Sequence, residues 1–262
     1  MQSSYISAPD GTRVEYGMID PGAGRPVDIV MLHEGLGSLA AWKTYPEELA
    51  AATGCRVIAY SRRGYGRSSP LTAPRTVGYL HDAARTELPA LLSTLGIRNP
   101  LLFGHSDGAS IALIYAALPD AVACGVIALA PHVFVEDISI AGIRSARDAY
   151  DNGTLRERLA PYHDDVEGAF WGWNRIWLDP AFRAWNIEAL LPAIRVPVLT
   201  IQGHGDEYGT LQQPERVRQA CVRARLLALP DCRHAPHRDQ PQAVIAATRE
   251  FLDELAPVAT GR

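Results

Sequence analysis

The residues best suited to chemistry form the motif Gly-His-Ser-Asp-Gly at 104–108, which follows an apolar run at 101–103. A strand that ends in Gly-x-Ser-x-Gly and continues into a helix makes a sharp turn that leaves the serine hydroxyl exposed. The glycines are needed because side chains there would collide with neighbouring backbone. The alternative is a loop of small residues, but a strand pattern before the motif and a helix pattern after it favour Ser106 as a nucleophile.

A serine hydroxyl is a poor nucleophile unless a histidine accepts its proton and an acid orients that histidine. The motif at 104–108 resembles the nucleophile turn of the α/β-hydrolase superfamily, and the resemblance covers nearly the whole chain. That family orders its triad as serine, acid, histidine. The sequence Gly-His-Gly-Asp-Glu at 203–207 is similar to the family's acid turn, which implies Asp206 as the acid and leaves Glu207 as a competitor.

The resemblance also implies a general base near the C-terminus. Pro-Asp-Cys-Arg-His-Ala-Pro-His at 230–237 looks like the family's last histidine loop, in which the first histidine, His234, takes this role. His237 is the alternative. Arg233 stands where the family usually has glycine.

The tetrahedral intermediate of acyl transfer needs hydrogen-bond donors for its negative charge. One predicted donor is the backbone N–H of Asp107. The loop His-Glu-Gly-Leu-Gly at 33–37 resembles the family's oxyanion loop, which implies Gly35 as the second donor. Glu34 stands where glycine is usual, so we expect its carboxylate either to turn away or to touch polar atoms of the substrate.

Short apolar runs alternate with helical patterns along most of the chain, which predicts an α/β fold with a mostly parallel sheet flanked by helices. Asp10-Gly11 is a hairpin signal, so the sheet should begin with two antiparallel strands. The turn at 63–68 resembles the family's Arg-Gly-x-Gly-x-Ser turn and supports the fold rather than catalysis. The predicted strands are 5–7, 13–18, 27–32, 56–60, 101–103, 126–130, 198–202 and 226–229, and the predicted helices include 40–52, 76–95, 109–117 and 243–255.

The alternation lapses at 131–196, which is helical in pattern and carries four of the five tryptophans. We expect an inserted helical cap there, with 1–130 and 197–262 forming the α/β-hydrolase core. The aromatic residues either form the core of the cap or face a pocket. The predicted substrate contacts are Trp171, Trp173 and Trp177 under the pocket hypothesis, together with Glu34, His132 and Tyr208, which would set specificity if the tryptophans do not.

Composition excludes several classes of protein. The 262 residues are 47% hydrophobic and 21% charged, which is typical of a folded domain. The net charge of −4, without long runs of like charge, argues against nucleic-acid and membrane partners. We see no secretory signal and no apolar stretch of about 20 residues, so we expect a cytoplasmic protein. The lone His-x-Asp at 204–206 is too weak for a metal site, and we expect no metal and no cofactor.

These patterns predict a serine hydrolase that cleaves a carboxylic ester, or a thioester or lactone, of a small to medium, partly apolar substrate. Serine at the turn argues against dehalogenase and epoxide hydrolase chemistry, for which the family uses aspartate. The first alternative is a C–C bond hydrolase of the meta-cleavage-product type. The second is a non-catalytic ligand-binding protein on the same fold. A small molecule is the expected partner, and a homo-oligomer is compatible with the sequence.

Overall fold

The computed structural model describes residues 1–8, 10–22 and 24–255. Its strands are β1 (Ser3–Ser7), β2 (Arg13–Ile19), β3 (Asp28–Leu32), β4 (Arg56–Tyr60), β5 (Leu101–His105), β6 (Gly125–Leu129), β7 (Val198–Gly203) and β8 (Ala224–Leu229). They form one sheet in the order β1-β2-β4-β3-β5-β6-β7-β8. The pairs β1–β2 and β2–β4 are antiparallel and the other five pairs are parallel. The predicted hairpin and mostly parallel sheet are therefore confirmed.

The helices are α1 (Tyr45–Thr53), α2 (Tyr79–Asp82), α3 (Leu88–Thr94), α4 (Asp107–Ala116), α5 (Asp137–Asp151), α6 (Leu155–Leu159), α7 (Val166–Trp177), α8 (Gln212–Ala220), α9 (Pro236–Asp239) and α10 (Pro241–Leu255). They cover both faces of the sheet. Successive strand residues point to opposite faces, so Ile29 and Met31 of β3 join one apolar core while Val30 and Leu32 join the other. Among the described helices, none is long and apolar enough to cross a membrane.

The single helix predicted over 76–95 is wrong in detail. The structure has α2, a π-helical turn at Ala83–Glu87, and then α3. Pro89 is the second residue of α3. Proline has no N–H to donate, and in an uninterrupted α-helix its ring would clash with the carbonyl four residues earlier. The wider π turn immediately before α3 removes that clash.

Between β6 and β7 the chain folds into α5, α6 and α7, followed by short 3-10 turns at Pro180–Ala184 and Glu188–Ala193. One isolated bridge joins Phe134 to Asn186 near the two ends of this segment. That 131–196 is a separate cap domain stays a prediction. The last part of the predicted core domain, 256–262, lies outside the described residues.

Candidate active site

Ser106 lies at the sharp turn between β5 and α4, with φ 52° and ψ −117°. Such a backbone conformation is strained for a residue with a side chain. Both flanking glycines are required by close backbone approach. A Cβ on Gly104 would lie 2.4 Å from the Gly108 carbonyl oxygen, and a Cβ on Gly108 would lie 2.1 Å from the Leu32 carbonyl oxygen. The geometry is the strand, turn and helix that the motif predicts.

His234 and Asp206 form a continuous hydrogen-bonded chain with Ser106. His234 Nε2 is 3.0 Å from Ser106 Oγ, and His234 Nδ1 is 2.8 and 2.9 Å from the two carboxylate oxygens of Asp206. Asp206 Oδ1 also accepts the backbone N–H groups of Tyr208 and Gly209, at 2.8 and 3.2 Å. These bonds fix the carboxylate, which in turn fixes the plane of the imidazole ring.

The two competitors that the sequence left open do not join this chain. Glu207 instead accepts from Arg233 Nη2 at 2.9 Å and from the backbone N–H of His234 at 3.3 Å. His237 is buried against Trp42, with ring centroids 4.8 Å apart, and neither of its ring nitrogens has a hydrogen-bond partner among the described residues. Arg233, which replaces the usual glycine, is therefore accommodated by pointing outward to Glu207.

The carboxylate of Asp206 changes the protonation of His234. Burial by itself lowers the pKa of His234, but the charge and hydrogen bond of Asp206 outweigh burial and raise that pKa above its usual 6.5. Burial likewise works to raise the pKa of Asp206, and its interaction with His234 outweighs burial and lowers it. The pair therefore favours a charged imidazolium beside an ionised carboxylate.

We expect kcat/KM to fall as the pH is lowered through the pKa of His234, because a protonated imidazole cannot accept the Ser106 proton. The midpoint of this acid limb should lie above 6.5. Asp206→Asn should move it to lower pH, because the charge that raises the pKa is lost and burial remains. The measurement is kcat/KM for an ester between about pH 5 and pH 9. A wild-type midpoint below pH 6.5 would contradict the conclusion that Asp206 raises the pKa of His234.

The two backbone N–H groups predicted as donors, those of Asp107 and Gly35, come from the N-terminus of α4 and from the loop after β3. Asp107 is the first residue of α4, where N–H groups have no partner within the helix. Gly35 lies on the loop after β3, and in the described chain neither of these two N–H groups has a backbone acceptor. The indole of Trp173 packs directly on Gly35, since a Cβ there would lie 2.1 Å from Trp173 Nε1. Only glycine fits under that indole.

The carboxylate of Glu34 lies between two side chains, those of Arg238 and His105. Its carboxylate accepts from Arg238 Nη2 at 3.1 Å, and its other oxygen lies 3.4 Å from His105 Nδ1. Burial works to raise the pKa of Glu34, but His105 and Arg238 outweigh it and hold that pKa well below its usual range. That Glu34 contacts the substrate stays a prediction. Glu34 and His105 together link the loop at 33–37 to the loop at 230–237, because His105 Nε2 also lies 2.8 Å from the His234 carbonyl.

Aromatic side chains surround His234. The ring of Tyr208 lies 4.7 Å from that of His234, and the ring of His132 lies 5.9 Å from it. Trp177 packs edge-on to His132 at 5.0 Å. Burial and the neighbouring His234 lower the pKa of His132 to about 3, so His132 is a neutral wall of the site. Tyr208, His132, Trp177 and Trp173 are thus brought to the region predicted for substrate contact.

Trp171 is not brought to the site. Its indole N–H donates to Glu167 at 3.0 Å, and the guanidinium of Arg175 lies 5.3 Å from its ring. It lines a separate cleft with Leu71. Trp171 and Trp173 are two positions apart on α7, so they point to different sides of the helix. Trp171 thus lies on the side of α7 that lines this cleft, and its substrate contact stays a prediction.

We expect Trp173→Ala to shift the preferred acyl length toward longer chains, because the indole that covers Gly35 limits the space there. Each added methylene should raise kcat/KM by up to about fourfold until the pocket is full. The measurement is kcat/KM over a graded series of p-nitrophenyl esters. Trp171→Ala is the matched control and should keep the wild-type length profile. If Trp173→Ala and the wild type have the same dependence of kcat/KM on acyl length, Trp173 does not line the acyl pocket.

The structure adds side chains that sequence reasoning missed. One is the buried carboxylate of Asp107, which accepts from Tyr79 Oη at 2.7 Å and from Trp177 Nε1 at 3.3 Å. Arg62 Nη2 lies 3.9 Å from the same carboxylate. Burial raises the pKa of Asp107 despite Arg62. Nothing in the local sequence predicts that Arg62 is buried while its neighbour Arg63 is half-exposed.

Residues 29–247 match a family model described as the alpha/beta hydrolase family. A non-heme haloperoxidase from Rhodococcus erythropolis is 28% identical over 95% of this chain and 99% of that protein. A bifunctional esterase/perhydrolase from Acinetobacter calcoaceticus is 26% identical over 65% of this chain and 61% of that protein. The crystal structure of an enol-lactonase from Burkholderia xenovorans LB400 has a TM-score of 0.76 at 23% identity, covering 95% of this chain and 100% of that one. At that identity the likeness concerns the fold.

Proposed function

Because the chain belongs to the alpha/beta hydrolase family, we propose that it hydrolyses a carboxylic ester through an acyl-enzyme on Ser106. The observation that carries the proposal is the hydrogen-bonded chain from Ser106 through His234 to Asp206. In such a chain the imidazole can take the hydroxyl proton while the carboxylate stabilises the resulting imidazolium. The proposed substrate is small to medium in size and partly apolar, because aromatic rings surround His234.

The reaction would proceed in two acyl transfers. Ser106 Oγ attacks the ester carbonyl carbon while His234 Nε2 accepts the hydroxyl proton. The tetrahedral intermediate collapses, and His234 returns the proton to the departing alkoxide, so an alcohol leaves and the acyl group stays on Ser106. Water then attacks the acyl carbon with His234 again as base, which releases the carboxylic acid and restores the serine.

The proposed oxyanion hole consists of the N–H groups of Gly35 and Asp107. Both are free of backbone acceptors in the described chain, and Asp107 also lies at the N-terminus of α4, where the helix dipole favours negative charge. Removing one donor from such a hole typically lowers kcat by about 10²- to 10³-fold. These donors act on the charge that develops in the transition state, so they should affect kcat more than KM.

The proposal is tested by labelling and turnover in parallel. A fluorophosphonate should add one label per chain to the wild type, at Ser106, and p-nitrophenyl acetate and butyrate should be hydrolysed. A meta-cleavage-type dienoate and a simple thioester are assayed beside the esters. If only the dienoate is cleaved, the protein is a C–C bond hydrolase and the proposal of ester hydrolysis is wrong. Absence of both label and turnover would favour the ligand-binding protein.

The comparisons also support hydrogen peroxide, besides water, as an acceptor of the acyl group from Ser106. The relatives include a haloperoxidase and an esterase/perhydrolase. Attack of peroxide instead of water on the acyl-enzyme would release a peracid and restore Ser106, with no net oxidation in that step. The check is peracid formation, followed by iodide oxidation, when wild type is given an acetate ester and peroxide. Peracid at the rate of the uncatalysed mixture would exclude this acceptor.

A further inference from the structure

Arg62 is a buried cation at the back of the proposed oxyanion hole. It follows β4, and its side chain is only 2% exposed. Its guanidinium donates to the carbonyl of His33 and, at 3.0 Å, to the carbonyl of Glu34. Its own backbone N–H donates to His33 Nε2 at 3.1 Å. Arg62 therefore binds the loop that carries Gly35 through two successive carbonyls.

The Glu34 carbonyl is the acceptor that matters most, because it belongs to the same peptide unit as the Gly35 N–H. Besides Arg62 it accepts from the Gly37 N–H at 3.1 Å and from His33 Nδ1 at 2.7 Å. His33 carries its proton on Nδ1, since its Nε2 accepts from Arg62. A trans peptide unit is planar, and its C=O and N–H point in opposite directions. Donors that fix the carbonyl therefore fix the direction of the Gly35 N–H.

The same guanidinium also faces the second donor residue. Arg62 Nη2 lies 3.9 Å from the carboxylate of Asp107, whose backbone N–H is the other proposed donor. Tyr79 Oη and Trp177 Nε1 hold this carboxylate from the other elements packed on it. One buried side chain thus contacts both halves of the hole. Because it is buried, its charge is only weakly screened by water.

We propose that Arg62 is a positioning residue for the oxyanion hole, which holds the 34–35 peptide so that the Gly35 N–H faces the carbonyl oxygen under attack. This inference rests on the proposed function. Its effect falls on the transition state, because the hole binds a charge absent from the ground state. A residue with a merely structural role would change stability and the fraction of active enzyme, but not kcat per active site.

The test compares Arg62→Gln and Arg62→Lys with Arg63→Gln. Arg63 is the matched control, since its half-exposed guanidinium lies 3.3 Å from Asp10 instead of facing the oxyanion loop. For each variant, kcat and KM for p-nitrophenyl butyrate are measured per active site, with sites counted by complete fluorophosphonate labelling. The inhibition constant of an alkyl boronic acid is measured as well, because its tetrahedral adduct on the serine resembles the intermediate.

We expect Arg62→Gln to lower kcat by about tenfold or more and to raise the boronate inhibition constant by a similar factor, with KM nearly unchanged. Arg62→Lys should show the same signature at reduced size, because an ammonium lacks the planar fork that reaches two carbonyls. Arg63→Gln should match the wild type. If Arg62→Gln does not fold, Arg62→Lys decides the question.

An unchanged kcat and boronate constant per active site in the folded Arg62 variant, in an enzyme whose wild type is active, would overturn this proposal and leave the proposed function standing. Equal losses in Arg63→Gln would also overturn it. A wild type that neither hydrolyses esters nor takes the fluorophosphonate would overturn both proposals together.

Discussion

Ser106→Ala is expected to lower kcat for ester hydrolysis by about five to six orders of magnitude, the size seen when the nucleophile of such a triad is removed. The change deletes one oxygen, and that oxygen is the atom 3.0 Å from His234 Nε2. The fold should persist because Gly104 and Gly108, which allow the close backbone approach at the turn, are untouched. The measurement is kcat with p-nitrophenyl butyrate, together with fluorophosphonate labelling and the melting temperature.

Ser110→Ala is the matched control for this prediction. Ser110 lies one turn further along α4, and its hydroxyl donates to the His132 carbonyl at 2.6 Å. Within the described chain it makes no hydrogen bond to His234, whose Nε2 lies against Ser106 Oγ. We expect it to cost some stability and to keep kcat within about tenfold, since it removes the buried hydrogen bonds that Ser110 Oγ donates to the His132 carbonyl and accepts from the His132 N–H, and leaves Ser106 Oγ in place. Retention of half the wild-type activity by a folded Ser106→Ala protein would rule out the acyl-enzyme mechanism.

His234→Ala should be nearly as damaging as loss of the serine, because members of a triad act as a unit. His237→Ala should instead affect stability, because His237 packs on Trp42 and Tyr45 and its ring has no hydrogen-bonded partner in the part of the chain that the structure describes. Burial also holds the pKa of His237 well below its usual range, so it is neutral in the folded protein. We expect kcat to fall by about 10⁵-fold for His234→Ala and by less than about tenfold for His237→Ala.

Both variants are compared by kcat per labelled or folded molecule and by thermal unfolding. Since an alanine at 237 leaves a cavity, a lower melting temperature in His237→Ala is expected and does not bear on the mechanism. Comparable kcat losses in the two variants, or the reverse order, would transfer the role of general base to His237.

Local patterns were enough to predict much of this molecule. The alternation of apolar runs and helical patterns predicted the sheet, because strand and helix formation depend on periodicity within short windows. The motif at 104–108 predicted the turn, because a side chain at Gly104 would clash with the backbone of Gly108, which is close in sequence. The resemblance to the hydrolases pointed to Asp206 and His234, although the acid and the base each had a neighbouring competitor.

Choices between neighbouring residues required the tertiary structure. Ser106 and His234 are 128 residues apart, and whether His234 or His237 reaches the serine depends on how the last loop packs on β5 and β7. Trp171 and Trp173 have the same residue type and lie on one helix, so only the packing of α7 decides which covers Gly35.

The tertiary structure also decides which charged groups surround a given side chain. The direction of Glu34 depends on His105 and Arg238, which come from two distant segments. Arg62 and Arg63 are adjacent in sequence, yet one is buried behind the oxyanion loop and the other pairs with Asp10 near the surface. Sequence periodicity determines which segments become strands and helices. Long-range packing determines which side chains meet, because contact energies between distant segments exist only once those segments are folded together.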